Sequence, residues 1–160
     1  MKQTRLLLVC MGNICRSPTA ESVVRAHMEK AGLGGHIEIE SAGTQRYNVG
    51  RPPDARAQKA AARRGYDLSR LRARQVSEAD FAHFDKILAM DRDNLEMLRR
   101  ECPPEHRHKL GLFLEYSRGS SALEVPDPYY GGDAGFRDVY DVIDRSCVAL
   151  VEDILRGTAP

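Results

Sequence analysis

Short apolar runs alternate along this chain with segments whose apolar positions recur every three or four residues. The first run predicts a buried strand from Arg5 to Val9. Behind it, Ala20, Val23, Val24, His27 and Ala31 fall on one helical face, with Ser17 suited to the N-cap, Pro18 to the first helical position and Gly32 to the stop. A second strand is expected at Ile37 to Ser41, and a turn-rich stretch runs from Gly43 to Asp54. Further helices fit Ala55 to Arg64 and Arg92 to Arg100, with a capped helical turn at Ser77 to Phe81. Lys86 to Met90 and Leu110 to Leu114 read as the third and fourth strands. After a loop rich in proline and glycine, Val139, Val142, Ile143, Cys147, Leu150, Val151 and Ile154 mark the buried face of a last helix, about Phe136 to Leu155. Such alternation predicts an α/β fold: a four-stranded parallel sheet covered by helices on both faces. No repeat, low-complexity tract or long linker divides the chain, so residues 1–160 are expected to form a single domain.

Composition changes this picture little. Of the 160 residues 42% are apolar and 29% charged, which is ordinary for a globular protein. The formal net charge is +1, so no global field points to nucleic acid or a membrane surface. Arginine clusters at Arg63-Arg64 and Arg70 to Arg74 read first as solvated faces and second as a local anion-attracting surface. The run Leu6 to Val9 is too short for a signal-peptide core or a membrane span, which makes the cytoplasm the expected compartment. Cys10, Cys15, Cys102 and Cys147 fit no zinc spacing, and no metal or other cofactor is expected.

The informative stretch is Val9-Cys10-Met11-Gly12-Asn13-Ile14-Cys15-Arg16-Ser17-Pro18. A strand, a glycine-bearing loop and a helix start bring unpaired backbone N–H groups together, and the helix dipole adds positive charge there. Gly12 and Asn13 are residue types that tolerate the left-handed angles of an anion-cradling nest. Arg16 offers a planar fork to two phosphate oxygens. Cysteines at helix N-termini beside cations are favoured as thiolates, and a thiolate at Cys10 can attack phosphorus. Ser17 is placed to donate a hydrogen bond to that sulfur. A bare Cys-x5-Arg spacing is common by chance, and Cys10 read alone is a buried strand end. The whole run, not the pair, favours chemistry.

This run resembles the nucleophile loop of the low-molecular-weight protein tyrosine phosphatase family, and the likeness extends nearly end to end. It includes Ser41-Ala42-Gly43-Thr44, Asn48-Val49-Gly50, Pro53-Asp54, Ala73-Arg74-Gln75, Met90-Asp91 and Asp127-Pro128-Tyr129-Tyr130. The resemblance implies a parallel-sheet α/β fold with a phosphate-binding loop after the first strand, and metal-free hydrolysis of phosphotyrosine and aryl phosphates. It makes Cys10 the nucleophile, Arg16 the phosphate ligand and Asp127 the general acid. From the residues alone, Asp-Pro is no more than a turn signal. Tyr47 and Tyr129 fall where the family places aromatic walls around the substrate ring, although either reads equally as an amphipathic surface tyrosine. Tyr47 stands where many members have tryptophan. Met11 and Ile14 would line the loop rim, and Ile14 replaces the threonine of related protein-arginine phosphatases. Asn13, Ser41 and Asp91 resemble the supporting hydrogen-bond network, with Asp91 also a candidate helix N-cap. Many members carry histidine near position 71, where this chain has Leu71.

Cys15, inside the loop, is placed to form a reversible disulfide with Cys10 under oxidants. The family resemblance implies phosphotyrosine proteins as partners, a cognate bacterial tyrosine kinase among them, and inorganic phosphate as product and inhibitor. An arsenate reductase shares the fold and loop but needs two further cysteines close together. Cys102 and Cys147 are far apart in sequence. A non-catalytic phosphotyrosine-binding module predicts loss of the nucleophile, arginine or acid, and all three are present.

Overall fold

The computed structural model describes residues 3–116, 123–129 and 132–156. Tyr130 of the Asp-Pro motif lies outside them. Four parallel strands, β1 (Thr4–Cys10), β2 (Ile37–Gly43), β3 (Lys86–Ala89) and β4 (Leu110–Leu112), form one sheet in the order β2-β1-β3-β4. The helices are α1 (Arg16–Lys30), α2 (Ala55–Ala62), α3 (Glu78–His83), α4 (Arg92–Glu101) and α5 (Asp133–Leu155).

Strand alternation sorts the core. Leu6 and Leu8 of β1 join Ile37, Ile39 and Leu88 on one face, beneath Val23, Val24 and Met28 of α1, Ala57 and Ala61 of α2, and Ile143, Cys147 and Leu150 of α5. Leu7 and Val9 point to the other face, with Ile87, Ala89 and Leu112, against Phe81 of α3 and Leu95 and Leu98 of α4. Leu6, Leu7, Leu8 and Val9 have no solvent exposure, so β1 is the centre of both layers. Burying each such side chain contributes about 1.5–3 kcal/mol, which makes β1 a rigid support for the loop at its carboxyl end.

The expected elements occur where periodicity places them, with boundaries shifted by one to a few residues. Two local expectations change. Ser17 does not cap α1: the helix begins at Arg16 with Cys15 as N-cap, because the Ser17 hydroxyl is engaged with the loop. The stretch beyond Leu112 leaves the sheet as a 3₁₀ turn, Phe113–Tyr116, rather than continuing the fourth strand. Gly32 and Gly65 do adopt positive φ, consistent with helix stops.

Sequence order reverses direction across the sheet between β1 and β3, since β1 pairs with β2 on one side and β3 on the other. The carboxyl ends of strands flanking such a switch form a crevice. Cys10 ends β1 there. Met90, just past β3, donates its N–H to Val9 O at 2.9 Å, and Val125 donates to Met90 O at 2.7 Å. These two bonds carry the Asp127 segment to the mouth of the same crevice.

Candidate active site

The loop between β1 and α1 turns at Asn13, whose φ of 57° is left-handed and tolerated by its short polar side chain. Gly12 is not left-handed; it provides clearance, because a Cβ there would meet Asn48 Nδ2 at 2.7 Å. Another close approach comes from β2. A Cβ on Gly43 would stand 2.7 Å from Met11 O and 3.2 Å from Asn13 N, both backbone atoms.

Within this frame the Cys10 sulfur receives the Asn13 N–H at 3.3 Å and lies 3.0 Å from Ser17 Oγ. The direction of the second bond follows from its neighbours. Asn13 Oδ1 accepts the Arg74 N–H at 3.0 Å, which orients the amide so that Nδ2 donates to Ser17 Oγ at 2.8 Å and Ser41 Oγ at 2.9 Å. Ser17, already an acceptor, has one proton to give, and Cys10 Sγ is nearer than the alternative Ala42 O at 3.5 Å. The Ser41 proton goes instead to Glu21 Oε1 at 2.7 Å. Glu21 is buried and paired with Arg25 at 3.0 Å. The chain from Glu21 through Ser41, Asn13 and Ser17 to Cys10 is therefore complete with leucine at 71. Leu71 lines a separate cavity of about 140 Å³ beside Asn13, Glu21 and Ser41.

Arg16 is 2% exposed. Its Nη1 donates to Asp91 Oδ2 at 2.5 Å and to Val125 O at 3.1 Å, while Nη2 lies 3.6 Å from Asp127 Oδ2. Burial opposes its charge, but the nearby Cys10, Asp91 and Asp127 outweigh it and raise its pKa above the ordinary arginine value. Asp91 fills two roles with two oxygens: Oδ1 accepts the Asn94 N–H at 2.8 Å and caps α4, while Oδ2 holds Arg16. It supports Arg16 rather than the Asn13–Ser41 chain. Asp127 Oδ1 accepts the Tyr129 N–H at 3.0 Å, a turn that fixes the carboxylate direction.

Cys10, Met11, Gly12, Ile14, Cys15, Arg16, Tyr47, Asn48, Asp127 and Tyr129 line one cavity of about 280 Å³. Tyr47 and Tyr129 are exposed at its rim, at 79% and 44%. Asn13, Ser17, Ser41 and Asp91 lie behind the lining. Burial pushes the Cys15 thiol well above its ordinary value, with the Cys10, Asp54 and Asp127 charges adding to the effect. Cys102 and Cys147 belong to the clusters on opposite faces of the sheet, so no second thiol pair forms.

Sequence reasoning missed Glu21 and Arg56, and gave no role to Gly43 and Asn48 beyond their place in the family motifs. Glu21 lies on α1, and nothing in its own neighbourhood distinguishes it from a solvated helix glutamate, since its partner Ser41 comes from β2. Asn48 Nδ2 reaches Gly12 O at 3.4 Å. The Arg56 guanidinium lies 5.4 Å from the Tyr129 ring centroid and 4.6 Å from that of Phe136, and is paired with Asp54 at 3.0 Å.

A parallel α/β sheet with a thiol cradled in a strand-to-helix loop, beside a buried arginine and a carboxylate, defines the cysteine-dependent phosphatase class. Residues 5–159 match the family described as low molecular weight phosphotyrosine protein phosphatase, and the chain belongs to that family. It is 45% identical over 140 residues to the low molecular weight phosphotyrosine protein phosphatase of Schizosaccharomyces pombe, covering 87% of this chain and 89% of that one. Identity to the human protein of the same name is 40% over 149 residues, covering 92% and 93%. The crystal structure of a protein tyrosine phosphatase from Entamoeba histolytica with Hepes in the active site superposes with a TM-score of 0.94 at 38% identity, covering 98% of this chain and 99% of that one.

Proposed function

We propose that this protein hydrolyses phosphotyrosine and small aryl phosphates through a cysteinyl-phosphate on Cys10, without a metal. The observation that carries the reading is the convergence on Cys10. Its sulfur is the acceptor of the Asn13 N–H and the Ser17 hydroxyl, in a cavity that also presents Arg16 and Asp127. Loop N–H groups and the Arg16 fork hold the phosphate oxygens as charge develops on them. Cys10 Sγ forms the bond to phosphorus as the phosphorus–phenol oxygen bond breaks, and Asp127 gives its proton to the departing phenolate. Water then attacks phosphorus and loses a proton to Asp127. The thiolate leaves with the Ser17 hydrogen bond stabilising it, and inorganic phosphate is released as product and competing ligand.

Ile14 in the lining and the tyrosines at the rim favour an aromatic phosphoester over phosphoarginine. The partners are accordingly phosphotyrosine proteins, a cognate bacterial tyrosine kinase being one candidate by family analogy. No helix among the described residues is long and apolar enough to cross a membrane. Hydrolysis of p-nitrophenyl phosphate by wild type, Cys10→Ser and Asp127→Asn tests the mechanism. Cys10→Ser should abolish turnover, and Asp127→Asn should slow it most for poor leaving groups. Undiminished metal-free activity of Cys10→Ser would end the proposal. A phosphopeptide panel separates tyrosine from arginine substrates.

A further inference from the structure

Two segments far apart in sequence form one surface beside the cavity. Gly43 donates to Arg74 O at 2.8 Å and Val76 to Gly43 O at 2.9 Å. Gly50 donates to Ala73 O at 2.8 Å and Ala73 to Arg51 O at 2.9 Å. Residues 41–53, which include the wall residues Tyr47 and Asn48, are thereby stitched to residues 68–76. Neither segment contains an acidic residue, and together they carry Arg46, Arg51, Arg70, Arg72 and Arg74. Arg74 is neutralised by Asp80 and Glu40. Arg72 is exposed, donates to the carbonyls of Ser69 and Leu71, and forms no ion pair among the described residues. Arg46 and Arg51 are exposed and form no ion pair among the described residues. Arg70 is exposed too, but it lies near Asp67, whose carboxyl is lowered by the Ser69 hydrogen bonds and then by the Arg70 charge, so Arg70 is partly offset. The chain as a whole is only +1, so this is a local concentration of charge.

We infer that the arginine-bearing surface formed by residues 46–51 and 70–72 selects phosphotyrosine substrates with acidic residues beside the phosphotyrosine. This rests on the reading of the cavity as a phosphotyrosine site. A peptide whose phosphotyrosine enters between Tyr47 and Tyr129 must run its main chain over the rim. Arg46 directly precedes Tyr47, and Arg51 lies three residues beyond Asn48. Guanidinium forks match carboxylates in two-point hydrogen bonding, and the unpaired charge accelerates encounter with acidic chains. Each exposed pair contributes little, so discrimination accumulates over several and falls with salt.

The test compares kcat/KM for equal-length phosphotyrosine peptides with acidic, neutral or basic flanks, at ~20 mM and ~500 mM NaCl, with p-nitrophenyl phosphate alongside. Wild type should prefer the acidic peptide over the neutral one by about five- to tenfold at low salt and by less than about twofold at high salt. The double variant Arg46→Glu, Arg51→Glu should turn the preference toward the basic peptide while hydrolysing p-nitrophenyl phosphate normally. Equal rates on acidic and neutral peptides in wild type, or an acidic preference the double variant retains, overturn the inference. So does competition by a single-stranded polynucleotide that exceeds competition by the dephosphorylated acidic peptide, which would assign the surface to nucleic acid. If wild type turns over neither the peptides nor p-nitrophenyl phosphate, it is the catalytic reading that fails.

Discussion

Asp91 joins catalysis to stability, and replacing it separates the two. Its carboxylate serves two donors with two oxygens, the α4 cap through Oδ1 and Arg16 through Oδ2 at 2.5 Å. The side-chain amide introduced by Asp91→Asn has one acceptor oxygen, so either Arg16 or the Asn94 N–H faces an NH₂ group instead. Asparagine is as good a cap as aspartate, so the amide should keep the cap and lose Arg16. Arg16 is 3% exposed at its side chain and Asp91 18%, so the guanidinium has little access to water in compensation. Hydrogen bonds to charged groups contribute roughly 1.5–3 kcal/mol, and the remaining Val125 O and Asp127 contacts favour the middle of that range. We expect Asp91→Asn to lose about 2 kcal/mol, which is about 4–8 °C in Tm for a chain of this size. Asp91→Ala should lose about 3 kcal/mol, since it also removes the cap. Urea denaturation gives the free energies directly. In kinetics, a guanidinium no longer held at Nη1 should lower kcat/KM for p-nitrophenyl phosphate by at least about tenfold. If Asp91→Asn melts within about 1 °C of wild type and keeps kcat/KM within about twofold, the ion pair does not position Arg16.

Four other outcomes are expected from the same geometry. Gly43→Ala should raise KM and destabilise by about 1–3 kcal/mol, because its methyl meets backbone atoms of Met11 and Asn13 that cannot rotate away; a thermal melt and p-nitrophenyl phosphate kinetics check this. Burial raises the Asp54 pKa, but hydrogen bonds from the Arg56 side chain and backbone outweigh it and leave the carboxyl below its ordinary value. The stabilisation is therefore present above pH ~4 and is lost as pH falls through the depressed folded value, so urea unfolding at pH 5 and pH 3 should show a shallower acid loss in Asp54→Asn than in wild type. Cys15 and Cys147, whose thiols burial pushes upward, should resist alkylation in the folded protein at neutral pH. Peroxide should first oxidise Cys10 and then yield a Cys10–Cys15 disulfide, about 2 Da lighter than the dithiol; over-oxidised Cys10 with no such bond by mass spectrometry argues against this protective step.

The strands and helices were legible because burial on a sheet or helix face leaves its period in the residues that supply that face. Arg5 to Val9 reads as a buried strand and is one, with alternate side chains from Leu6 to Val9 feeding different layers. Ser17 misled only as a helix cap. Ser-Pro is a good local cap signal, but the hydroxyl is drawn away by Cys10 Sγ and the Asn13 amide. Glu21 was invisible for the opposite reason. A glutamate on a helix reads as solvated until β2 places Ser41 against it and the sheet removes it from water.

The stretch from Cys10 to Ser17 marked the phosphate site by itself, since an anion nest needs consecutive N–H groups, a left-handed turn and a helix start in order. Those are local properties of adjacent residues. The surroundings of the nest are not local. Arg16 meets Asp91 across 75 positions and Val125 across 109, and neither partner differs from a cap or loop residue in its own neighbourhood. Only the crossing of chain segments at the β1–β3 switch point brings them together, because hydrogen bonds and ion pairs depend on distance in space and leave no period along the chain.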